Sequence, residues 1–354
     1  MFFERPWAIA VESGADEIAL PSGAVRLHNR PVSSHPEFDW RPLDRGQVRA
    51  WANLVAAMEV VDHQDEHLGE EDLAEEFDDP EADYARGSVA VYCGHTMIGF
   101  SVLSPRTAAE PVHEMRLDGG VHPAYRGRGI GSELLGWAEQ AARPLHARRF
   151  PGRPLSLEGH CLARNEGAVA LFSAHGYAPT RWFLRMSCEL TPDLPAAQVP
   201  AGVQVVGFTP DRSDDARLVR DDAFRDHWGS TKNTDETWAH FVGYGAFRPA
   251  YSFLAYEGSE PLSVIVSHEY DCYTRATGRR ELYIPTVGTR RAGRNRGIAT
   301  ALLSHTLRAA RADGLVSATL DVDADSPTGA VGLYQRAGFV LQDTWIAQVK
   351  RLIG

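Results

Sequence analysis

The six residues Arg294-Asn295-Arg296-Gly297-Ile298-Ala299 follow a strand-like run over 281–287 and precede a helix-like run over 300–312. A strand, a basic glycine-containing turn and a helix together form a phosphate-binding geometry. The first backbone N–H groups of a helix have no intrahelical acceptor and carry a partial positive charge, so several of them can hold one anion. Gly297 leaves this backbone uncovered, and the two arginines add full charges. The stretch therefore predicts a site for a pyrophosphate.

The chain contains this stretch twice. Arg126-Gly127-Arg128-Gly129-Ile130-Gly131 has the same form and follows a strand-like run over 114–121. Downstream of the two turns, residues 165–177 match residues 326–339, and each of these segments ends in glycine followed by an aromatic residue. Two segments that recur in the same order at nearly the same offset indicate an internal duplication.

The length of 354 residues suits two domains better than one hydrophobic core. A hydrophobic content of 44% with 23% charged residues is typical of globular proteins. We predict an N-terminal extension over 1–36, a first domain over 37–190, a proline-containing linker over 191–202 and a second domain over 203–354.

The net charge of −11 argues against a nucleic-acid partner. The sequence has no apolar run long enough to cross a membrane and no signal-like start, and its four cysteines have no CxxC spacing, so we expect a cytoplasmic protein with no membrane partner. His63-Gln64-Asp65-Glu66-His67 formally matches the H-x-x-E-H metal pattern. The surrounding sequence is polar and offers no third ligand, so we predict no metal site.

The pair of patterns V-x-P…R-G-R-G-I-G and N-x-x-A-x-x-L-F…G-Y resembles motifs A and B of the GNAT superfamily of acyl-CoA N-acyltransferases. The resemblance covers both halves, and the tandem layout is similar to that of the mycothiol synthase branch and related actinobacterial proteins. It implies an α/β (α+β) fold of two tandem domains, each with a mixed, mostly antiparallel twisted sheet flanked by helices. The central strand of each sheet would splay from its neighbour, and we place the splay at Gly119-Gly120 and at Pro285.

The resemblance implies acetyl-CoA as the co-substrate, with its pyrophosphate at the turn and its pantetheine amides along the splayed strand. A dinucleotide site fits less well, because Ser132 and Thr300 stand where a third glycine would be required. The predicted cofactor-binding residues of the second half are Val287, Thr289, Arg294, Asn295, Arg296, Gly297, Ile298, Ala299 and Thr300. Those of the first half are Val121, Arg126, Gly127, Arg128, Gly129, Ile130, Gly131, Ser132 and Asn165.

The reaction implied by the resemblance is direct attack of an amine on the thioester, which needs a general base, an oxyanion site and a general acid. Glu281 lies six residues before Val287, where some family members carry their base. The same count from Val121 leads to Met115 in the first half. Glu114 is one residue out of register, and a slip of one position would return a carboxylate there, pointing to the other face of the sheet.

Tyr334 stands where the family's general acid usually lies, and its counterpart in the first half is Phe172, which has no proton to give. We therefore assign the chemistry to the second half and a structural or regulatory role to the first. The predicted function is N-acetylation of a primary amine on a small molecule by a monomer or homodimer. A non-catalytic acyl-CoA sensor, a protein or peptide N-acetyltransferase and a tandem scaffold stay open as alternatives.

Overall fold

The computed structural model describes residues 37–354 except positions 107, 110, 226, 327 and 328, so the predicted extension over 1–36 lies outside the described residues. The described chain divides into two compact units. The first unit contains the described residues up to Arg181 together with Trp345–Gly354. The second unit contains Trp182–Thr344.

In both halves of the described chain, helices follow the first, fourth and fifth strands, and the remaining helices differ between the halves. The strands are β1 (Asp39–Arg41), β2 (Ser88–Cys93), β3 (Thr96–Pro105), β4 (His113–Val121), β5 (Leu155–Leu162), β6 (Ala178–Glu189), β7 (Val203–Gly207), β8 (Phe253–Glu257), β9 (Glu260–His268), β10 (Glu281–Thr289), β11 (Ser317–Asp323) and β12 (Val340–Ile353). The helices are α1 (Val48–Asp62), α2 (Glu70–Glu75), α3 (Tyr84–Gly87), α4 (Ile130–Arg149), α5 (Glu166–Ala174), α6 (Ser213–Ala223), α7 (Asp235–Gly243), α8 (Asp271–Thr277), α9 (Ile298–Ala312) and α10 (Ala330–Arg336). Every described helix is too short or too polar to cross a lipid bilayer.

The sheets of the two units have the same topology. In the first unit the strand order is β1-β2-β3-β4-β5-β12, and in the second it is β7-β8-β9-β10-β11-β6. Neighbouring strands are antiparallel except for one parallel pair in each unit, β4 with β5 and β10 with β11. Helices pack on the sheets, α4 and α1 in the first unit and α9 and α6 in the second. The predicted fold class, tandem domains with mixed and mostly antiparallel sheets, is confirmed.

Each parallel pair separates before its strands end. The pairing of β4 with β5 stops at Leu117 and Gly159, and that of β10 with β11 stops at Tyr283 and Thr319. Beyond these points β4 stays paired with β3 as far as Val121, and β10 stays paired with β9 as far as Thr289. One backbone edge of each central strand is thus left open at the predicted splay positions, two residues before Gly119 and before Pro285.

The units do not end at the domain boundaries predicted from the sequence. β6 belongs to the first repeat by sequence, yet its residues from Phe183 to Glu189 pair with β11 of the second unit. β12 belongs to the second repeat, yet its residues from Trp345 to Ile353 pair with β5 of the first unit. The last strand of each repeat therefore completes the sheet of the other unit, which boundaries drawn between the repeats at 190 and 203 could not anticipate.

The predicted linker over 191–202 is packed against the second unit. The side chain of Leu194 is buried. On α9, the hydroxyl of Ser304 donates a hydrogen bond to the carbonyl of Pro195 at 2.9 Å and accepts one from the backbone N–H of Ala197 at 3.2 Å. These contacts attach the segment along one side of α9.

A pair of buried histidines joins β4 to α4 in the first unit. The Nδ1 atoms of His113 and His146 are 2.8 Å apart, and each Nε2 faces a backbone carbonyl, at 3.2 Å on Arg106 and 2.9 Å on Arg153. Because a carbonyl only accepts, both Nε2 atoms must carry hydrogens, and the Nδ1 contact then needs one shared proton. Burial, and then the charge of His146, lower the pKa of His113 to about 4.

Mild acid should therefore destabilise the first unit. The unfolded chain protonates His113 near pH 6.5, whereas the folded chain does so only near pH 4, so stability falls as the pH drops through this interval. We expect the melting temperature to fall by several degrees between pH 6.5 and 4.5, and His113→Gln to flatten this dependence. Scanning calorimetry across that range measures the effect, and parallel profiles for the variant and the wild type would contradict it.

Candidate active site

Both glycine turns take the shape that an anion site at a helix N-terminus requires. The helices α4 and α9 begin directly after Gly129 and Gly297, which have φ values of 79° and 78°, in the left-handed region that favours glycine. Neither helix is capped by a side chain. The first intrahelical hydrogen bonds of these turns run from Glu133 to Gly129 and from Ala301 to Gly297, so the N–H groups that precede them have no acceptor within the helix.

The space above the turns is open. A Cβ atom built on Gly129 or on Gly297 would meet no protein atom within 4 Å. Packing therefore does not require glycine at these two positions. The left-handed backbone requires it, and the absence of a side chain lets an anion approach the helix N-terminus. These observations fit the pyrophosphate of acetyl-CoA.

The first arginine of each turn holds the turn in place. The Nε of Arg126 donates to the carbonyl of Val121 at 3.1 Å, and its two terminal nitrogens donate to both carboxylate oxygens of Asp62 at 2.7 and 2.6 Å. Arg294 does the same with backbone carbonyls, donating to Thr289 at 3.2 Å and to Ala223 at 3.1 Å. Each guanidinium thus ties the turn to the end of the central strand and to the end of the helix that packs on it.

The other predicted cofactor residues have varied surroundings. Arg296 forms an ion pair with Glu257, and Arg128 lies over the ring of Tyr125 at 5.0 Å. The side-chain oxygen of Asn165 accepts a hydrogen bond from the backbone of α5 at 3.0 Å, which makes it the N-cap of that helix. Ile130 and Ile298 are buried in the two cores and anchor the starts of their helices, and Asn295 has a left-handed φ of 59°. Direct contacts of the predicted residues with the cofactor stay predictions: Val121, Gly127, Gly131 and Ser132 in the first unit, Val287, Thr289, Ala299 and Thr300 in the second, and the residues just described.

Gly297→Val should weaken acetyl-CoA binding. A β-branched residue at this φ costs about 1–3 kcal/mol, and its side chain would stand where the anion approaches the N–H groups. We expect the dissociation constant for acetyl-CoA to rise by at least about tenfold, as measured by isothermal titration calorimetry. Gly94→Val is the matched control, because Gly94 has a φ of 61° and equally open surroundings but lies in a hairpin turn between β2 and β3. Equal losses in the two variants would show that strain, rather than the site, is responsible.

Glu281 lies at the start of β10, where that strand is still paired with β11. Its carboxylate accepts hydrogen bonds from the hydroxyl of Ser317 at 3.1 Å and from that of Tyr273 at 3.4 Å. Ser317 is its direct neighbour on β11, and Tyr273 comes from α8. Both partners lie far from the motifs in sequence, and no sequence signal pointed to them. A carboxylate placed beside the splay in this way can accept a proton from an amine that enters there.

The structure corrects the predicted counterpart of Glu281 in the first half. The pairing of β9 with β10 slips by one residue between Tyr283 and Thr286, whereas β3 and β4 pair without a slip. Pro285 lies in this bulge, and a proline cannot donate to the ladder. Val121 is equivalent to Thr289, because each accepts the hydrogen bond from the first arginine of its turn. Glu281 lies eight residues before Thr289, and without the extra residue of the bulge the same place in β4 lies seven residues before Val121. The counterpart of Glu281 is consequently Glu114 and not Met115.

The pairing partners support this correspondence. Glu114 lies beside Ser156 on β5, just as Glu281 lies beside Ser317 on β11. Met115 is fully buried in the core under α4. The first unit thus has a carboxylate at the same place, on the same face as its counterpart and not on the other face as expected. The prediction that the first half has no candidate base is wrong, because the two valines from which it was counted are not equivalent positions and because β10 contains one extra residue.

The two glutamates differ in their surroundings. Glu114 pairs with Arg106, with 3.4 Å between Oε2 and Nε, whereas Glu281 accepts two hydroxyl hydrogen bonds. Burial raises the pKa of Glu114 above its ordinary value, Arg106 opposes that shift, and the charge of Glu158 adds to it.

Tyr334, the candidate acid, and Phe172 occupy equivalent positions in the two units, but only tyrosine can donate a proton. The ring of Tyr334 is buried and packs edge-on against Phe339, with 5.9 Å between ring centres. Phe172 packs in the same way against Tyr177 at 5.2 Å. The Tyr334 hydroxyl has no hydrogen-bond partner among the described residues, and it is not one of the enclosed polar atoms, so it opens to the surface. Burial raises the pKa of Tyr334 above its ordinary value, which keeps the hydroxyl protonated at neutral pH.

The H-x-x-E-H run does not form a helix. His63 ends α1 in a left-handed conformation, and Asp65 is left-handed as well. The carboxylate of Glu59 accepts backbone hydrogen bonds from the next turn, at 3.0 Å from both Gln64 and Asp65. Within the described residues there is no group of three or more side chains able to hold a metal ion.

Comparison with known proteins agrees with this geometry. Residues 49–177 and 216–339 match the profile of the Acetyltransferase (GNAT) family, one match in each half. Two such matches in one chain, each over a unit with an uncapped helix N-terminus beside a splayed strand, indicate a tandem N-acyltransferase that uses acyl-CoA. The chain belongs to the GNAT acetyltransferase family.

Two curated relatives extend over most of the chain. The mycothiol acetyltransferase of Streptomyces scabiei is 30% identical over 336 residues, which cover 93% of this chain and 97% of the relative. The mycothiol acetyltransferase of Pseudarthrobacter chlorophenolicus is 29% identical and covers 85% of this chain and 91% of the relative. These relatives confirm the resemblance to the mycothiol synthase branch and the assignment as an acyltransferase enzyme.

Two solved structures share the fold. A GCN5-related N-acetyltransferase from Sphaerobacter thermophilus has a TM-score of 0.73 at 24% identity, covering 91% of this chain and 98% of its own. A tandem GNAT protein from the clavulanic acid biosynthesis pathway has a TM-score of 0.66 at 16% identity, covering 90% of this chain and 99% of its own.

Proposed function

We propose that this chain transfers the acetyl group of acetyl-CoA to a primary amine of a small molecule, by direct attack at the second unit. Membership of the GNAT acetyltransferase family supports acetyl transfer as the reaction. Acetyl-CoA supplies the acetyl group as a thioester. The uncapped start of α9 at Gly297 is where its pyrophosphate would bind, and the open edge of β10 gives its pantetheine arm a strand to pair with.

In this proposal Glu281 takes a proton from the ammonium of the acceptor, and the free amine attacks the thioester carbon. Backbone N–H groups on the open edge of β10 stabilise the oxyanion that develops. The carbon–sulfur bond then breaks, and the hydroxyl of Tyr334 donates its proton to the departing sulfur.

The observation that carries the assignment to the second unit is Tyr334. Both units have a phosphate turn, a splay and a carboxylate, but only Tyr334 offers a proton donor at the acid position. Phe172 replaces it in the first unit and fills the available space. A Cβ atom on Gly159, at the last paired position of β5, would lie 2.5 Å from the end of the Phe172 ring.

The acceptor is best sought first among the compounds that the relatives act on. Relatives named mycothiol acetyltransferase match this chain over most of their own length, which supports the desacetyl form of mycothiol as the first amine to test. A panel of other small amines and a lysine-containing peptide completes the test. Release of free thiol from acetyl-CoA is the readout for every acceptor.

Tyr334→Phe should lower kcat by about tenfold to a hundredfold and leave the KM for acetyl-CoA nearly unchanged. The loss is moderate because a thiol is acidic enough, with a pKa of about 8.5 in free cysteine, to leave partly without a proton. The hydroxyl has no partner within the described residues, so its removal should not change the melting temperature. Steady-state kinetics with the preferred amine measure the effect.

Three results would redirect the proposal. Acetyl-CoA binding without turnover on any amine would favour a sensor, and no binding at all would favour a scaffold. Turnover on the peptide alone would favour a protein acetyltransferase. An unchanged kcat in Tyr334→Phe would show that Tyr334 is not the general acid.

A further inference from the structure

Arg116 on β4 is a buried arginine whose side chain makes no hydrogen bond or ion pair with the described residues. It lies beside Glu158 of β5, one residue before the splay, and only 6% of its surface is exposed. Its Nε is enclosed and makes no hydrogen bond, and its guanidinium forms no hydrogen bond or ion pair with any residue in the described part of the chain. The two terminal nitrogens are not among the enclosed atoms without a partner, so they keep some exposure to solvent.

The carboxylates around Arg116 are engaged by other groups. Glu158 is buried, and its Oε1 lies 2.7 Å from the Nε2 of His160. Its second oxygen is 3.6 Å from Arg106, and Arg106 also pairs with Glu114. Burial opposes the charged form of Glu158, but the hydrogen bond and charge of His160, followed by the charges of Arg106 and Arg116, lower its pKa to about 2. Arg116 thus acts on Glu158 only through space.

In the second unit, the side chain at the equivalent position forms a hydrogen bond with another side chain of the protein. Tyr283 pairs with Thr319 as Arg116 pairs with Glu158. The hydroxyl of Tyr283 donates to Asp321 at 3.1 Å, and Arg185 binds both oxygens of the same carboxylate at 3.1 and 3.2 Å. In the second unit the side chains at this position therefore bind one another, whereas in the first unit the Arg116 guanidinium has no partner among the described residues.

A buried cation without a partner is costly, and a group held in this way beside the end of a strand pairing is a candidate for ligand binding. A guanidinium fork matches a planar carboxylate with two parallel hydrogen bonds. The two glutamates nearby disfavour a dianion such as phosphate and favour an ammonium. Glu114 and Arg116 stand two residues apart on one face of a strand, roughly 7 Å between Cα atoms.

We propose that the first unit binds a small zwitterion, a free amino acid or a close relative, with its carboxylate on Arg116 and its ammonium facing Glu114. The ligand lies beside the first splay. This site is distinct from the acetyl-transfer site proposed for the second unit, and its test is binding, which does not depend on turnover.

The test uses the full chain and measures melting temperature and heat of binding with glycine, β-alanine and a panel of other amino acids. Acetate alone and methylamine alone are the half-ligand controls. We expect at least one zwitterion to raise the melting temperature by several degrees at millimolar concentration, and the half-ligands to raise it less. Arg116→Met should abolish this response.

The variants without added ligand separate binding from structure. Removing an unpaired buried charge removes a desolvation cost, so Arg116→Met should melt at the same temperature as the wild type or higher. Arg185→Met is the matched control, because Arg185 is equally buried but fully paired, and it should melt several degrees lower. Arg116→Lys keeps the charge without the fork, so it should retain only a weak response and gives a second measurement if Arg116→Met does not fold.

The proposal is overturned if Arg116→Met melts as low as Arg185→Met, because Arg116 would then be a structural residue. It is also overturned if no amino acid in the panel binds the wild type, if inorganic phosphate binds better than every zwitterion, or if Arg116→Lys responds like the wild type.

Discussion

Deletion of residues 345–354 is expected to unfold the first unit, although the other strands of that unit all precede residue 182. From Trp345 to Ile353, β12 pairs with β5 along the whole length of β5. Trp345 and Ala347 are fully buried, and Lys350 forms an ion pair with Glu139 of α4 at 2.7 Å. A large apolar side chain contributes about 1.5–3 kcal/mol on burial, and a domain is stable by only about 5–15 kcal/mol. Loss of the strand would also leave β5 as an exposed apolar edge.

Hydrogen exchange with mass spectrometry tests this expectation segment by segment. In the truncated chain the amides of β4 and β5 should lose protection, while those of β10 and β11 should keep it. Leu341→Ala is the control, because Leu341 lies on β12 before the deleted part and is exposed. Retained protection of β5 in the truncated chain would mean that the strand exchange contributes little to stability.

The exchange of the last strands between the two repeats also predicts the shortest fragment that folds as the second unit. Residues 182–344 should fold, because they include the part of β6 that pairs with β11. Residues 203–354 should not, because they leave the Asp321 carboxylate, whose side chain is only 6% exposed, without Arg185. Breaking a buried pair by removing one partner costs about 3–5 kcal/mol.

Glu281→Gln is expected to lower kcat by about a hundredfold to ten-thousandfold, the usual contribution of a general base. The amide has the same size as the carboxylate, and its oxygen can still accept hydrogen bonds from Tyr273 and Ser317, so the fold should be kept. The turn at Gly297 is untouched, and the KM for acetyl-CoA should change little. Steady-state release of thiol with the preferred amine measures both constants.

Glu114→Gln is the matched control, since Glu114 occupies the same strand position in the first unit. It should leave kcat within about twofold of the wild type, because Phe172 supplies no acid there. A loss of activity in Glu114→Gln with a normal rate in Glu281→Gln would transfer the chemistry to the first unit. A partial loss in each variant would mean that both units turn over.

Sequence patterns predicted a large part of this site. The two turns, their helices and the positions of both splays follow from local rules, because glycine, proline and helix starts act over a few residues. The pairing of Glu281 with Ser317, and the hydrogen bond from Tyr273, could not be predicted in the same way. They depend on which strands and helices meet, and the three residues come from three separate elements.

The counterpart of Glu281 shows where counting along the chain fails. A count of six from each valine led to Met115, but the equivalent of Val121 is Thr289 and not Val287. Counting from Thr289, with allowance for the bulge at Pro285, leads to Glu114. A strand alternates faces with every residue, so a shift of one changes which side chain reaches the site. The arginines of the turns illustrate the same limit, because their charge was evident but their use as ties to Val121 and Thr289 was not.

The sequence by itself determined that two copies of a strand, turn and helix unit exist, what fold each adopts and what kind of cofactor the turns suit. These properties depend on local backbone preferences and on a sequence repeat, and both can be recognised without knowledge of any long-range contact. Only the tertiary structure decided that the last strand of each repeat completes the other unit, that a glutamate stands beside each splay and that Arg116 has no partner among the residues that the structure describes. Strand pairing and burial join residues that are distant along the chain, so no local pattern encodes them.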